Sequence, residues 1–254
     1  MVKVLTKGVD SLKTRIKNYS VVIAISFLVM SFGCEESETL DQALVLQFTH
    51  SVDDEPLVMN EMRYINKAGE SYSVMTLRYY ISSIYLEMPN GEQIFVDTCH
   101  YINVKDTSTT RLVLSSFPVN QFKKVSFTFG LDSTQNVSNT LSYLDNMEWP
   151  EPMGGGYHYM KLEGACKLAD GTITNYKTHT GRLKTSDDLN DHSFVIELDI
   201  EDEEDSILLL NMNINEWYKD PHTYRFSEFG TAIMNNQEAQ EMLMQNGKDV
   251  FTVL

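Results

Sequence analysis

The stretch Leu77-Arg78-Tyr79-Tyr80-Ile81-Ser82-Ser83-Ile84-Tyr85-Leu86-Glu87-Met88, closed by Pro89-Asn90-Gly91, decides the fold class. It is rich in Tyr, Ile and Leu, residues that suit a pleated, half-buried surface. Pro-Asn-Gly is turn chemistry, and Gln93 to Val104 follows as the hairpin partner. The same signals recur on both sides. Leu44, Leu46 and Phe48 alternate with Val45, Gln47 and Thr49, a period of two. Val125, Phe127 and Phe129 alternate within Lys124 to Phe129 and stop at Gly130. Tyr157 to Leu168 reads as a strand, closed by the Asp170-Gly171 turn and continued by Thr172 to Lys177. Phe194 to Ile200 and Ile207 to Ile214 read as a later pair, with Glu201 to Asp205 as its solvated hairpin end. Asn236 to Asn246 alone reads as a helix in the mature chain, with Ala239, Met242 and Leu243 at helical spacing and Gly247 as its stop. Short strands at this density predict an all-β sandwich. Asn136 to Gly156 stands out as a long connection.

The chain has 254 residues, of which 42% are hydrophobic and 22% charged, so a packed core is expected and global disorder is not. The formal charge is −16, which repels phosphate backbones and argues against nucleic-acid binding. The charge is uneven. Residues 1–33 carry Lys3, Lys7, Lys13, Arg15 and Lys17 against Asp10 alone, so residues 34–254 sum to −20.

The first residues read as an address. A cationic stretch precedes the apolar run Val21 to Phe32, then Gly33 and Cys34. This is the pattern of a secretory signal, and the run is shorter than the ~20 residues of a bilayer span. Ser31-Phe32-Gly33-Cys34 resembles a bacterial lipobox, which makes Cys34 the expected lipid attachment site and residues 1–33 a lipoprotein signal peptide. Glu35, Glu36 and Glu38 follow, so residues 34–42 read as an acidic tether that is either a surface-export signal or a plain solvated linker. The domain from 43 to 254 is then expected outside the cytoplasm, anchored to the outer membrane on its periplasmic or cell-surface face. There, Cys99 and Cys166 are either a disulfide or two buried thiols.

Several catalytic signatures are absent. There is no His-Glu-x-x-His, no Gly-x-Ser-x-Gly, and no lysine or strand-helix setting around Gly154-Gly155-Gly156. The adjacent pair Asp187-Asp188 forms no nucleophile, base and orienter pattern, so an enzyme is not expected. The unusual stretch is Met147 to Met160, which gathers Trp149, His158 and three methionines. His and Met are ligands that soft Cu(I) takes. Yet none of the six histidines pairs with another at a close ligand spacing, so a metal site would have to be assembled across strands.

Five blocks together resemble one family. They are Leu77 to Ile84; Phe127-Thr128-Phe129-Gly130-Leu131-Asp132; Met147-x-Trp149; Gly156-Tyr157-His158-Tyr159-Met160-Lys161-Leu162-Glu163-Gly164; and His179-Thr180-Gly181. With this order the chain resembles the MbnP-like copper-binding family, whose members occur with methanobactin operons. Trp217, Pro221 to Tyr224 and Ile233 to Gln237 resemble a lipoprotein branch of it. The resemblance implies an immunoglobulin-like antiparallel β-sandwich, to which the predicted C-terminal helix is appended. It implies one copper bound as Cu(I). It also implies a partner, a di-haem enzyme of the cytochrome c peroxidase type. In the characterised branch that partner oxidises a tryptophan of a Trp-x-Trp motif to kynurenine, and copper loading depends on the change. The matching position is Trp149, which Pro150 and Glu151 follow in place of the second tryptophan. The His-Thr-Gly block makes His179 the first candidate ligand. His50 at the end of the first strand, His100 beside Cys99, and His158 come next. Alternation sets His158 on the face opposite Tyr157 and Tyr159, hence outward if those tyrosines face the core. The rival expectation is a metal-free surface module that recognises glycan or protein, with Trp149, Trp217 and the tyrosines lining its face.

Overall fold

Strand alternation and turn chemistry place the first long elements where the pattern predicts them. The computed structural model describes residues 42–117, 122–141, 146–184, 188–200 and 206–254. The signal peptide, Cys34, the acidic tether as far as Asp41, Asp187 and Glu201 to Asp205 lie outside the described residues. β1 (Gln42–Val52), β2 (Glu55–Pro56), β3 (Tyr64–Ile65) and β4 (Ser71–Tyr72) lead into β5 (Thr76–Glu87) and β6 (Gln93–Asn103), the predicted hairpin. β7 (Arg111–Phe117), β8 (Lys124–Phe129), β9 (Met160–Lys167) and β10 (Ile173–Thr180) follow. Then come β11 (Leu183–Lys184), β12 (Leu189–Asn190), β13 (Phe194–Asp199), β14 (Ile207–Asn213) and β15 (Phe251–Val253).

Two sheets enclose one main core, an all-β sandwich. The smaller orders β15-β14-β1, with β2 and β7 also on β1. The larger orders β13-β8-β5-β9-β4-β3, with β6 on β5 and β10 on β9. Leu44, Leu46 and Phe48 of β1 face Leu77, Tyr79 and Ile81 of β5 across this core, and Phe129 packs 5.0 Å from Trp217 between ring centroids.

Two expectations are corrected here. β13 and β14 are not a pair. β13 pairs with β8 in the larger sheet, whereas β14 runs parallel to β1 in the smaller one, from Val45↔Ile207 to Ser51↔Asn213. The chain therefore changes sheets between them and the sandwich is not wholly antiparallel. Both strands present apolar residues to the same core, Phe194 and Ile196 from one side and Leu208, Leu210 and Met212 from the other, so their composition cannot separate a hairpin from a crossover. The strand expected from Tyr157 begins only at Met160. Residues before it make a single bridge, Glu148↔Tyr157.

The predicted helix is α2 (Gln237–Asn246), preceded by the one-turn α1 (Phe226–Phe229). The Asn236 side chain caps α2 by accepting from Ala239 N–H at 3.1 Å. Gly247 ends it, but for packing: a Cβ there would lie 2.3 Å from Phe194 and 2.6 Å from Trp217.

β5 shows what positions the site. Tyr79, Tyr80, Ile81 and Ser82 are all buried, so alternation stops. Tyr79 and Ile81 enter the main core, while Tyr80 joins Tyr101, Leu131, Met147, Tyr157 and Tyr159 in a second cluster. The larger sheet is thus covered on its outer face too, by the connection that follows β8.

Candidate metal centre

The Asp170-Gly171 turn sets the β9–β10 register, which brings Lys161 opposite His179 and Glu163 opposite Lys177. Glu163 and His179 become diagonal neighbours on the outer face. Residues 147–158 fold back over that face. Trp149 N–H donates to Gly156 O at 2.8 Å and His158 N–H to Met147 O at 2.7 Å. The reversal needs glycine. Gly154, Gly155 and Gly156 have φ of 116°, 65° and 81°, the left-handed region that L side chains rarely adopt. A Cβ on Gly156 would fall 2.0 Å from Asn136 Oδ1, the oxygen that accepts from Tyr157 N–H at 2.7 Å.

Three rings meet under this fold. The His158 ring centroid lies 4.8 Å from that of Trp149 and 4.9 Å from that of His179, both edge-on. Trp149 is 2% exposed, His158 5% and His179 6%. The indole lies on Gly181, where a Cβ would come within 2.8 Å of its six-membered ring. Indole Nε1–H donates to Met153 O at 3.1 Å.

The partners of each imidazole assign its proton. His179 Nε2 lies 2.7 Å from Glu163 Oε1. The hydrogen bond from His179 holds the Glu163 carboxyl down, to about 2, so the oxygen accepts and Nε2 carries the hydrogen. Burial outweighs that carboxylate and lowers the His179 value, which leaves a neutral ring with its lone pair on Nδ1. His158 Nδ1 donates to Met147 O at 3.1 Å. Burial first, and the neighbouring His179 second, push His158 down to about 3. Its Nε2 is buried with no hydrogen-bond partner. Buried polar atoms are rarely left so, and a neutral imidazole nitrogen is a donor that Cu(I) takes. A carboxylate behind a ligating histidine is the usual second layer of a metal site. The donor set therefore fits copper in type and is short in number. Among the described residues no three His, Cys, Asp or Glu side chains gather to hold an ion, and an unmodified indole N–H is a donor only.

The other expected ligands stand elsewhere. His50 bonds Tyr79 Oη at 3.0 Å, and His100 Nε2 bonds Thr109 O at 2.8 Å while stacking on Phe48. His158, expected to point outward, is buried together with Tyr157 and Tyr159, because both faces of the segment are covered. Cys99 and Cys166 are free thiols on opposite faces of the larger sheet, Cys99 against the second cluster and Cys166 in the main core. Burial pushes the Cys99 thiol up to about 12. Trp149 and Trp217 are both buried, so neither lines an exposed binding face.

Three residues of the centre carried no sequence signal of their own: Glu163, Gln240 and His192. Glu163 lay in the quoted block, and only the hairpin register reveals its partner. Gln240 Nε2 donates to His179 O at 2.8 Å and its Oε1 accepts from Gly181 N–H at 3.3 Å. His192 Nδ1 meets Gly181 O at 3.2 Å.

Comparison with known proteins bears on the frame around this cluster. Among curated proteins none matches the chain. A solved structure of MbnP from Methylosinus trichosporium is similar, with a TM-score of 0.52 and 13% identity over 75% of this chain and 85% of that one. At that identity the likeness speaks for the fold alone. The family described as MbnP matches residues 41–237. That span holds every strand but β15 together with Trp149, His158, Glu163 and His179, and the chain belongs to the MbnP family.

Proposed function

We propose that this chain is an extracytoplasmic copper-binding lipoprotein that holds one Cu(I) between His158, His179 and a kynurenine derived from Trp149. The observation that carries the reading is the buried, unpartnered Nε2 of His158, on a ring that packs edge-on against both the Trp149 indole and a His179 whose Nε2 is committed to Glu163. Copper supplies a soft acceptor for these nitrogens. The chain's own residues do the rest. Glu163 and the Met147 carbonyl fix both imidazole tautomers, and burial keeps both rings neutral. Oxidation of Trp149 supplies what two imidazoles lack, an aryl ketone and an aniline nitrogen in place of an indole N–H. A partner di-haem enzyme of the cytochrome c peroxidase type would catalyse the oxidation, with hydrogen peroxide or dioxygen as the oxidant and indole C2 leaving as formate after hydrolysis. In this reading the chain is a substrate and a binder, not a catalyst. Among the described residues no serine, threonine or cysteine side chain bonds the His179–Glu163 pair. Export and outer-membrane anchoring through Cys34 follow from the leader.

The test is intact mass, a peptide map across Trp149 and metal content on protein from its native host. Kynurenine replaces one carbon by one oxygen, a net gain of ~4 Da. That shift at Trp149 with about one copper per chain supports the reading. An unmodified Trp149 with no copper after mild purification overturns it.

A further inference from the structure

We propose that Gln240 is the positioning residue of this centre, and that helix α2 is therefore part of the site rather than a cap on the sandwich. The side chain is 1% exposed and spends both ends of its amide on one short piece of backbone. Nε2 donates to His179 O at 2.8 Å and to Ile233 O at 3.0 Å, and Oε1 accepts from Gly181 N–H at 3.3 Å. Those are the two peptide groups that flank Thr180. One end of the tripeptide carries an imidazole of the centre and the other is the floor beneath the Trp149 ring. Two further backbone oxygens are held as well: Thr180 O accepts from Tyr159 N–H at 2.8 Å and Gly181 O faces His192 Nδ1. Among the described residues Gln240 alone grips both ends at once, so it sets the separation between the imidazole and the indole floor. A buried amide with three satisfied bonds is costly to move. The matched family region ends at residue 237, so this grip comes from chain beyond it.

The geometry stands without copper, while the property it serves rests on the copper reading. The test separates the two. In the full mature chain, hydrogen exchange of Gly181 N–H and of the Trp149 indole N–H is compared between the native residue and Gln240→Met. Leu243→Ala, fully buried on the same helix in the main core, controls for lost stability. At matched global stability, Gln240→Met should speed both exchanges about tenfold, and Leu243→Ala should not. Gln240→Glu should lose the bond to His179 O, because a carboxylate cannot donate, and keep the one to Gly181. On protein from the native host, Gln240→Met should weaken Cu(I) binding about tenfold. Exchange within about twofold of the native rate at both sites overturns the proposal, as does an equal effect of Leu243→Ala at Trp149. Faster exchange in Gln240→Met with a native protein that binds no copper leaves the positioning standing and removes the copper reading.

Discussion

Glu163 acts on His179 twice: it fixes the tautomer and makes the ring more basic toward an ion on the opposite nitrogen. Replacing it with Gln keeps an acceptor of the same shape and removes the charge. On the proposed copper reading, Glu163→Gln should therefore weaken Cu(I) binding by about 10–100-fold with little change in unfolding midpoint, read by competition with a chromophoric Cu(I) chelator. Unchanged affinity would show that the carboxylate is only a structural partner. Gly181 makes a different demand. A Cβ there meets ring carbons of Trp149 at 2.8 Å, and that ring is walled by His158 and tied through Nε1 to Met153, so it cannot swing away. Gly181→Ala should cost about 1–3 kcal/mol by overpacking, measured by urea unfolding. A stability equal to the native value would mean that the indole yields easily, contrary to the packing described.

At the scale of elements, the triple-glycine reversal decides whether Trp149 reaches the histidines at all. Gly156 and Gly171 separate its two requirements. Both have positive φ, 81° and 86°, but a Cβ at Gly156 collides with Asn136 while Gly171 has nothing within 4 Å. Gly171→Ala should cost only the left-handed penalty of about 1–2 kcal/mol. Gly156→Ala should cost clearly more and also displace Trp149, seen as a change in near-ultraviolet circular dichroism. Equal costs would refute the role of close approach. The same elements mark what sequence could reveal. The β5–β6 hairpin was legible because Leu77 to Met88 is rich in Tyr, Ile and Leu and Pro89-Asn90-Gly91 turns the chain. α2 was legible from its apolar spacing and its stop. The β13–β14 crossover was not, because two inner faces of one core carry the same pattern whichever sheet holds them. His158 was misplaced for a related reason. Alternation assigns a residue to a buried or a wet face, and here the returning connection covers both. Trp149 and His179 lie in the family blocks, whereas His50 and His100 were candidates by residue type and strand position. Glu163 and Gln240 depend on register and on a helix docking from the far end of the chain.

For the whole molecule, burial of imidazole sets the response to acid. His50, His100, His158, His179 and His192 are all held below the ordinary value of 6.5, in each case chiefly by desolvation. The unfolded chain takes up these protons as pH falls through 6.5, and the folded chain refuses them until lower pH. The unfolded state therefore binds more protons in that window, and stability falls as pH falls. Carboxylates held low in the fold, Glu70, Asp132 and Glu163, add their own loss only when pH drops below their ordinary range. Acid destabilisation should thus begin near neutrality rather than near pH 4.5. His50 isolates the effect because it stands apart from the His158–His179 cluster, bonded to Tyr79 and lowered to about 4. The lowering from 6.5 to about 4 is a stabilisation present at pH 7 and lost as pH falls toward about 4. His50→Gln keeps a polar partner for Tyr79 and cannot titrate. Its unfolding free energy in urea, measured from pH 7.5 to 4.5, should decline less steeply than that of the native chain. Parallel declines would mean that His50 takes up its proton over the same pH range folded and unfolded, contrary to the lowering ascribed to its desolvation.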